Sequence, residues 1–380
     1  MRASTGILQP GAWLGLLGGG QLGRMFTMAA QSMGYRVAVL DPGDHSPAGT
    51  VADRHVRADY LDQDALATLA ALCHGVTTEF ENVPARSLEY LAGHCRVSPA
   101  AAAVAIAQDR IREKDFVRQC GVATAPYAVI RSPADVDAAP DALFPGILKV
   151  SRLGYDGKGQ ARIANRAAAR AALDEFGGVP CVLEKLLPLE LELSVVVARN
   201  ERGESRTYPV AENEHARGIL DSSIVPARVS AALASRAREA AVIIADRLGY
   251  VGVLCVEFFV LADDQLAVNE IAPRPHNSGH YTIDACITSQ FEQQARVLAG
   301  LPLGSTELHC PAVMVNLLGE IWAHGEPDWT RVLEHPMAKL HLYGKTGARP
   351  GRKMGHVTCL GATAADAIAT ARTICSALRF

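Results

Sequence analysis

The chain has 380 residues, of which 49% are hydrophobic and 20% charged, with a formal net charge of -3. That length exceeds one average core and predicts two or three domains. The near balance of charge excludes a global attraction to nucleic acid or a membrane surface, so affinity for anions has to come from local clusters.

In chain order, MRASTGILQPGAW has one basic residue and no long apolar run, so it predicts a frayed leader rather than a signal peptide. Residues 13–18 (WLGLLG) predict a buried strand. After a glycine-rich turn, Leu22, Met25, Phe26, Ala29, Ala30 and Met33 recur at helical spacing up to Gly34. Residues 36–40 predict a second strand, 64–72 a helix and 75–80 a third strand that ends at Glu79 and Glu81. This alternation implies a parallel sheet with helices on both faces. From about Gln108 the rhythm becomes α+β. A charged helix (DRIREKDFVRQCG) precedes strands at 146–150, 181–186 and 191–198, an alanine-rich helix over 230–248, and strands at 251–260 and 265–271 joined at Asp263-Asp264. From about 303, strands and a basic loop predict a small terminal domain. No stretch approaches the roughly 20 apolar residues of a membrane span. The nine cysteines include no C-x-x-C pair, which argues against a zinc site or disulfide framework and for a reducing cytoplasm.

Gly18, Gly20 and Gly23 satisfy G-x-G-x-x-G between a strand and a helix, and Asp41 ends the next strand. Alone, this is a dinucleotide fingerprint and supports a nicotinamide-dependent oxidoreductase. The physics requires only a tight turn and unpaired N–H groups offered to an anion. Set against the rest of the chain, the turn reads as an anion loop on the substrate side. A second loop, Gly154-Tyr155-Asp156-Gly157-Lys158-Gly159-Gln160, follows Lys149 at the end of an apolar strand. Its N–H groups can wrap phosphate oxygens, with Lys149 and Lys158 adding charge. This is not the Walker pattern, because no GKS or GKT follows a strand and opens a helix. Glu184, in Glu184-Lys185-Leu186-Leu187, and Glu192 are candidate acceptors for an adenine amino group or ribose hydroxyls.

Glu257 lies in an almost wholly apolar strand and Glu270 in the next, after a short turn. Antiparallel pairing can bring the two carboxylates together, which is unfavourable unless a cation sits between them. Magnesium takes carboxylates plus phosphate oxygens, and Asn269 is a candidate third oxygen donor. Lys345, Arg352 and Lys353 crowd one loop and suit a monophosphate. Arg274, His276 and Asn277 follow directly after the metal-bearing strand.

Lys149, the GYDGKGQ loop, Glu184-Lys185, Glu257 and Asn269-Glu270 occur in the order seen in the ATP-grasp superfamily. GLLGGGQLGRM, TTEFENVP, NEIAPRPHNSGH and YGKTGARPGRKMGHV make nearly the whole chain resemble one family within it, the biotin-independent 5-(carboxyamino)imidazole ribonucleotide synthases. The resemblance implies a Rossmann-like domain over 1–108, an ATP-grasp domain over 109–302 with a lid lobe at about 124–190, and a small C-terminal domain over 303–380. It implies ATP-dependent carboxylation of aminoimidazole ribonucleotide with bicarbonate in purine synthesis, with Mg2+ (or Mn2+) and no biotin. The implied nucleotide set is Arg110, Lys149, the 154–160 loop, Glu184, Lys185, Leu186, Leu187, Glu192, His215, Asn269 and Glu270. The implied metal ligands are Glu257 and Glu270, with Asn269 beside them. The ribotide is expected against Gln21, Leu22, Glu79, Arg274, His276, Asn277, Lys345, Arg352 and Lys353. Tyr155, Asp156, Arg274 and His276 are the candidate catalytic residues, and His215, in ENEHARGI, otherwise reads as a solvated loop residue. A homodimer is the family's habit, and a transient hand-off to a carboxyaminoimidazole ribonucleotide mutase is a further expectation. Three alternatives stay open at this point: a formate-dependent glycinamide ribonucleotide transformylase of the same fold, the nicotinamide oxidoreductase, and a non-catalytic nucleotide-binding module.

Overall fold

The computed structural model describes residues 6–154 and 158–378, and the elements below are those of the described residues. Strands β1 (Trp13–Leu17), β2 (Arg36–Leu40), β3 (Arg54–Val56), β4 (Gly75–Thr78) and β5 (Arg96–Val97) form a parallel sheet in the order β3-β2-β1-β4-β5. The central strands are continuous apolar runs because both faces are covered. On one face Leu14 and Leu16 meet Leu22, Phe26 and Ala30 of α1 (Gln21–Ser32), together with Phe291, Ala295 and Leu298 of a later helix. On the other, Leu17, Ala38 and Leu40 meet α2 (Gln63–Leu72), α3 (Ala85–Ala92) and α4 (Ala101–Ala107). Each such fully buried aliphatic or aromatic side chain contributes about 1.5–3 kcal/mol. The strand order reverses between β1 and β4, which opens a crevice at their carboxyl ends.

Helix α5 (Arg110–Gln119), capped by Asp109, leads into a second, four-stranded sheet. There β6 (Tyr127–Ile130), β7 (Gly146–Val150), β8 (Gln160–Ile163) and β9 (Cys181–Lys185) pair antiparallel in the order β6-β9-β7-β8. Helices α6 (Pro133–Ala138) and α7 (Arg166–Glu175) cover this sheet, with Ala169, Ala172 and Leu173 against Leu148, Ile163 and Leu183.

The large sheet contains β10 (Leu191–Arg199), β11 (Ser205–Thr207), β12 (Ala211–Ala216), β13 (Ile219–Val225), β14 (Gly252–Leu261) and β15 (Gln265–Ala272). Helix α8 (Ala231–Arg247) packs on the Leu254 and Val256 face of β14, whose opposite face, at Val253 and Cys255, meets Tyr281 and Ala285. Burial on both sides explains why β14 is apolar throughout except at Glu257. After α9 (Thr282–Ala285) and α10 (Gln290–Ala299), strand β16 (Ala312–Leu318) joins β13. Helix α11 (Thr330–Leu333), β17 (Ala338–Leu342), β18 (Lys353–Leu360) and α12 (Ala364–Leu378) complete the chain. The resulting order is β15-β14-β10-β12-β13-β16-β18-β17, with β11 beside β10. The segment from about 303 thus places its strands on the same sheet as β14 and β15.

The ENEHARGI segment differs from its expectation. It is strand β12 and the turn after it, and His215 belongs to the strand, beside a register shift against β13. Polar residues over 211–216 concealed a strand whose outer half, from Glu214, is solvated.

Candidate active site

The first glycine turn faces carboxylates of its own chain. Glu79, just past β4, accepts from the backbone N–H of Gly20 at 2.6 Å and of Gly23 at 2.9 Å. Asp41 accepts from Gly19 N–H at 2.8 Å and from the Tyr60 hydroxyl at 2.7 Å. The glycines make room for this. Gly18 has φ +103, and a Cβ on Gly20 would lie 2.4 Å from Glu79 Oε1. The donors open to an anion at this turn are therefore fewer than the sequence suggests: internal carboxylates take the N–H groups of Gly19, Gly20 and Gly23, and those of Gln21 and Leu22, at the start of α1, are the ones left over among the described residues. The dinucleotide reading fails, since Asp41 is turned onto Gly19 and not toward a ribose. Burial raises the Glu79 carboxyl above its usual range, against the two N–H donors that favour its charge. Leu22 is buried in the core beside Leu16, while Gln21 is half-buried at the crevice.

The acidic pair meets at the β14–β15 hairpin. Glu257 is in register with Glu270, and Phe258 with Val268, so Asn269 is the extra residue of a bulge. Such a bulge re-aims side chains, and here the Asn269 amide lies 3.5 Å from Glu257 Oε2. Burial, reinforced by the facing Glu270, pushes the Glu257 carboxyl up to about 7. Arg110 pairs with Glu270 Oε2 at 3.2 Å. Among the described residues no three His, Cys, Asp or Glu side chains converge on one point. The two carboxylates make an incomplete, all-oxygen set, which fits a magnesium ion that takes its remaining ligands from phosphate and water; the Asn269 amide turns its nitrogen to Glu257 and its oxygen to Lys149.

Helix α5 and the four-stranded sheet supply the cations. Lys149, on β7, is buried, with Nζ 3.0 Å from Glu184 Oε2 and 3.4 Å from Asn269 Oδ1. Lys114, on α5, lies 3.3 Å from the other oxygen of Glu184 and donates to the Asn269 carbonyl at 3.0 Å. The Lys114–Glu184 contact is an ion pair off the hydrogen-bonding direction, so Glu184 Oε1 has no hydrogen-bond partner. Burial would raise the Glu184 carboxyl, but Lys149 and Lys114 outweigh it and hold it down to about 2. Burial lowers Lys149, Glu184 opposes that, and Lys114 and Arg110 add to the lowering. The two shifts agree: one carboxylate is shared by more cations than it can neutralise. Lys114 and Glu113 were not among the sequence candidates. The buried face of α5 is Glu113, Lys114 and Val117. Glu113 accepts from the Ile271 N–H, and burial lifts its carboxyl to about 7 despite Arg110. The available signal was helical spacing from Arg110: positions i+3, i+4 and i+7 share its face.

Glu192 and His215, on neighbouring strands, pair at 3.1 Å. Burial lowers His215, but Glu192 outweighs it and the net shift is upward. Lys185 is exposed and Leu186 and Leu187 are half-buried in the connection to β10. In the second glycine loop Gly154, Lys158, Gly159 and Gln160 lie beside β7, with Val150 N–H donating to the Gly159 carbonyl at 2.8 Å. Tyr155, Asp156 and Gly157 lie outside the described residues.

The remaining candidates form a second wall. Arg274 Nε donates to Glu81 Oε2 at 2.5 Å, and although burial works against it, Glu81 raises its pKa. His276 Nδ1 accepts from Ser278 N–H at 3.3 Å, so Nε2 carries the hydrogen and lies 3.2 Å from Glu257 Oε1. Burial, with Arg274 and Lys353 nearby, keeps His276 neutral, well below the usual range. Neither polar atom of the buried Asn277 amide has a partner among the described residues. Lys345 donates to the Lys353 carbonyl at 2.7 Å, and Arg352 bonds back to the Thr346 and Gly347 carbonyls.

Comparison with known proteins decides the assignment. Residues 12–108 match the ribonucleotide synthetase preATP-grasp domain, 115–291 the ATP-grasp domain and 312–370 the phosphoribosylaminoimidazole carboxylase C-terminal domain. The chain is 46% identical to the N5-carboxyaminoimidazole ribonucleotide synthase of Bacillus subtilis, over 93% of each chain. It is 47% identical to that of Brucella melitensis, over 92% of this chain and 97% of the other. The chain belongs to the N5-carboxyaminoimidazole ribonucleotide synthase family. It is therefore an ATP-grasp carbon–nitrogen ligase, and neither the nicotinamide oxidoreductase nor the formate-dependent alternative. An ADP complex of a family member superposes with a TM-score of 0.91 at 42% identity, covering 98% of both chains. The Aspergillus clavatus enzyme, in complex with ADP and 5-aminoimidazole ribonucleotide, gives 0.89 at 32% identity, covering 98% of this chain and 99% of the other.

Proposed function

We propose that this enzyme joins bicarbonate to the exocyclic amine of 5-aminoimidazole ribonucleotide, turning ATP into ADP and phosphate, in purine synthesis. The observation that carries the site assignment is the in-register pair Glu257–Glu270, with Asn269 bulged between the pair and Lys149. Family membership, and relatives solved with ADP and with 5-aminoimidazole ribonucleotide, support the substrates. In this reading the chain divides into 1–108, 109–302 with a lid lobe over 124–190, and 303–380.

Lys149, Arg110 and the 154–160 loop hold the nucleotide phosphates, Lys185 to Leu187 and Glu192 with His215 hold adenine and ribose, Glu184 lies behind them with both oxygens on lysines, and Glu257, Glu270 and Asn269 hold magnesium. When bound, the metal offsets the charge that develops on the transferring phosphoryl oxygens. A bicarbonate oxygen bonds to the γ-phosphorus as the bond to ADP breaks. The resulting carboxyphosphate gives its carboxyl group to the ribotide amine, and phosphate leaves. Arg274, fixed by Glu81, and neutral His276, fixed by Ser278, face these oxygens from the second wall. Glu79, pinned by two N–H groups, keeps acceptor capacity for a ribose hydroxyl. Gln21 and the Leu22 main chain flank it, Asn277 offers a free amide, and Lys345, Arg352 and Lys353 take the 5′-phosphate. Tyr155 and Asp156 are assigned to orient the amine or take its proton, and loop closure excludes water.

The nine free cysteines support a reducing cytoplasm, and no helix among the described residues is long and apolar enough to cross a membrane. A homodimer, and hand-off of the labile product to a mutase, complete the proposal. The test is ADP release with aminoimidazole ribonucleotide plus bicarbonate against glycinamide ribonucleotide plus formate. Release with the first mixture alone is expected, and release that needs the second would overturn the reading.

A further inference from the structure

Glu184 stands between two lysines that differ in their second anchor. Lys114 is 1% exposed, and its other bond is to the Asn269 main-chain carbonyl, at 3.0 Å. Lys149 is 7% exposed, and its other contact is the Asn269 side-chain oxygen, at 3.4 Å, which a rotation of the amide releases. Lys114 is thus held by backbone on the metal-bearing strand, and Lys149 is held only by side chains. From this geometry we infer that Lys114 is a positioning residue, which keeps Glu184 neutralised so that Lys149 can leave it for the nucleotide phosphates. The inference rests on the assignment of Lys149 to those phosphates.

The charge balance explains why two lysines are needed. If Lys149 were the sole partner of Glu184, moving it to a phosphate would strand a buried carboxylate, which is strongly unfavourable. The ammonium would then be held by the protein's own acid and would bind nucleotide poorly. With Lys114 on Oε1 at 3.3 Å and Lys149 on Oε2 at 3.0 Å, two cations meet one anion. One positive charge is left over for the phosphates. Glu184 and Lys149 lie on lid strands, while Lys114 and Asn269 lie on α5 and on β15 of the large sheet. The same contacts therefore tie the lid to the metal site.

A double-mutant cycle on the full-length enzyme tests this. The variants are Lys114→Met, Glu184→Gln and both together, read by ATP KM at saturating ribotide and bicarbonate and by calorimetric Kd for MgADP. Lys114→Met is expected to weaken both by at least about tenfold, because it removes one partner of a buried charge pair. Ribotide KM should stay within about twofold, a split that general collapse of the fold would not give. Adding Glu184→Gln should recover at least about threefold, since Lys149 is then no longer sequestered. Nucleotide affinity of the double variant should match that of Glu184→Gln alone. That comparison decides the matter even if Lys114→Met does not fold. A double variant about tenfold weaker than Glu184→Gln, or a Lys114→Met enzyme that binds nucleotide normally, would overturn the inference. Lys149→Ala separates the two failures. If it binds ATP normally, the nucleotide assignment is wrong; if it does not and the cycle shows no coupling, only the role of Lys114 is wrong.

Discussion

The Gly18–Gly23 turn and the junction of Lys149 with Glu270 both read in the sequence as places for a phosphate. They differ in what the chain itself supplies. At the turn, Asp41 and Glu79 take the N–H groups of Gly19, Gly20 and Gly23. At the junction, Lys114 and Lys149 share one carboxylate, and Glu257 faces Glu270 across a hairpin. A glycine-rich turn most of whose donors are met internally is first a structural joint, with only the N–H groups of Gln21 and Leu22 left to a ligand among the described residues. A cluster with cations to spare beside two crowded carboxylates has unmet demand for both an anion and a metal. Glycine spacing does not distinguish these cases, and charge balance does.

The largest break in this comparison comes from Lys149→Ala. If the surplus charge binds the nucleotide, ADP release should fall by at least about a hundredfold. Retained bicarbonate-dependent release would place the phosphates elsewhere. The acid response of Glu184 should be next. Its carboxyl is held at about 2 against an ordinary 4.5, so its contribution is complete above 4.5 and is lost as pH falls toward 2. Of order 3 kcal/mol is involved. Denaturant unfolding at stepped pH should show this slope in the parent chain and a flatter one in Glu184→Gln. Equal slopes would contradict the ion cluster.

The turn is sharpened by Glu79→Ala. It orphans the N–H groups of Gly20 and Gly23 and should cost about 1–3 kcal/mol of stability, read as a lower melting temperature even without ligand. A variant as stable as the parent would mean that the carboxylate is not structural. The smallest effect belongs to Arg352→Ala. Arg352 is half-buried and bonded to carbonyls of its own loop, so ribotide KM should rise about fivefold to tenfold with kcat nearly constant, as for one removed charge-assisted contact. A change in kcat alone would move Arg352 to the reacting centre.

Much of the framework was legible. The strands 36–40 and 146–150 match the observed bounds, because apolar runs ended by Asp-Pro-Gly or a glycine loop leave few alternatives. The pairing of Glu257 with Glu270 followed from two strands and a short turn. The bulge that admits Asn269 did not, since one extra residue leaves no mark on periodicity. Lys114 and Glu113 were hidden because a charged helix reads as solvated, and only tertiary packing shows that its charged face is the buried one. Glu79 was placed with the substrate by resemblance. Its bonds to Gly20 and Gly23, which span the sheet's reversal point, lie beyond the reach of a linear pattern.

The central claim is that the surplus charge at the junction serves phosphoryl transfer to bicarbonate. The most direct measurement uses bicarbonate labelled with oxygen-18 and aminoimidazole ribonucleotide, with mass analysis of the released phosphate. One labelled oxygen in the phosphate for each ADP formed is the predicted result. ADP formation with unlabelled phosphate would contradict the account, because water and not bicarbonate would then have attacked the γ-phosphorus.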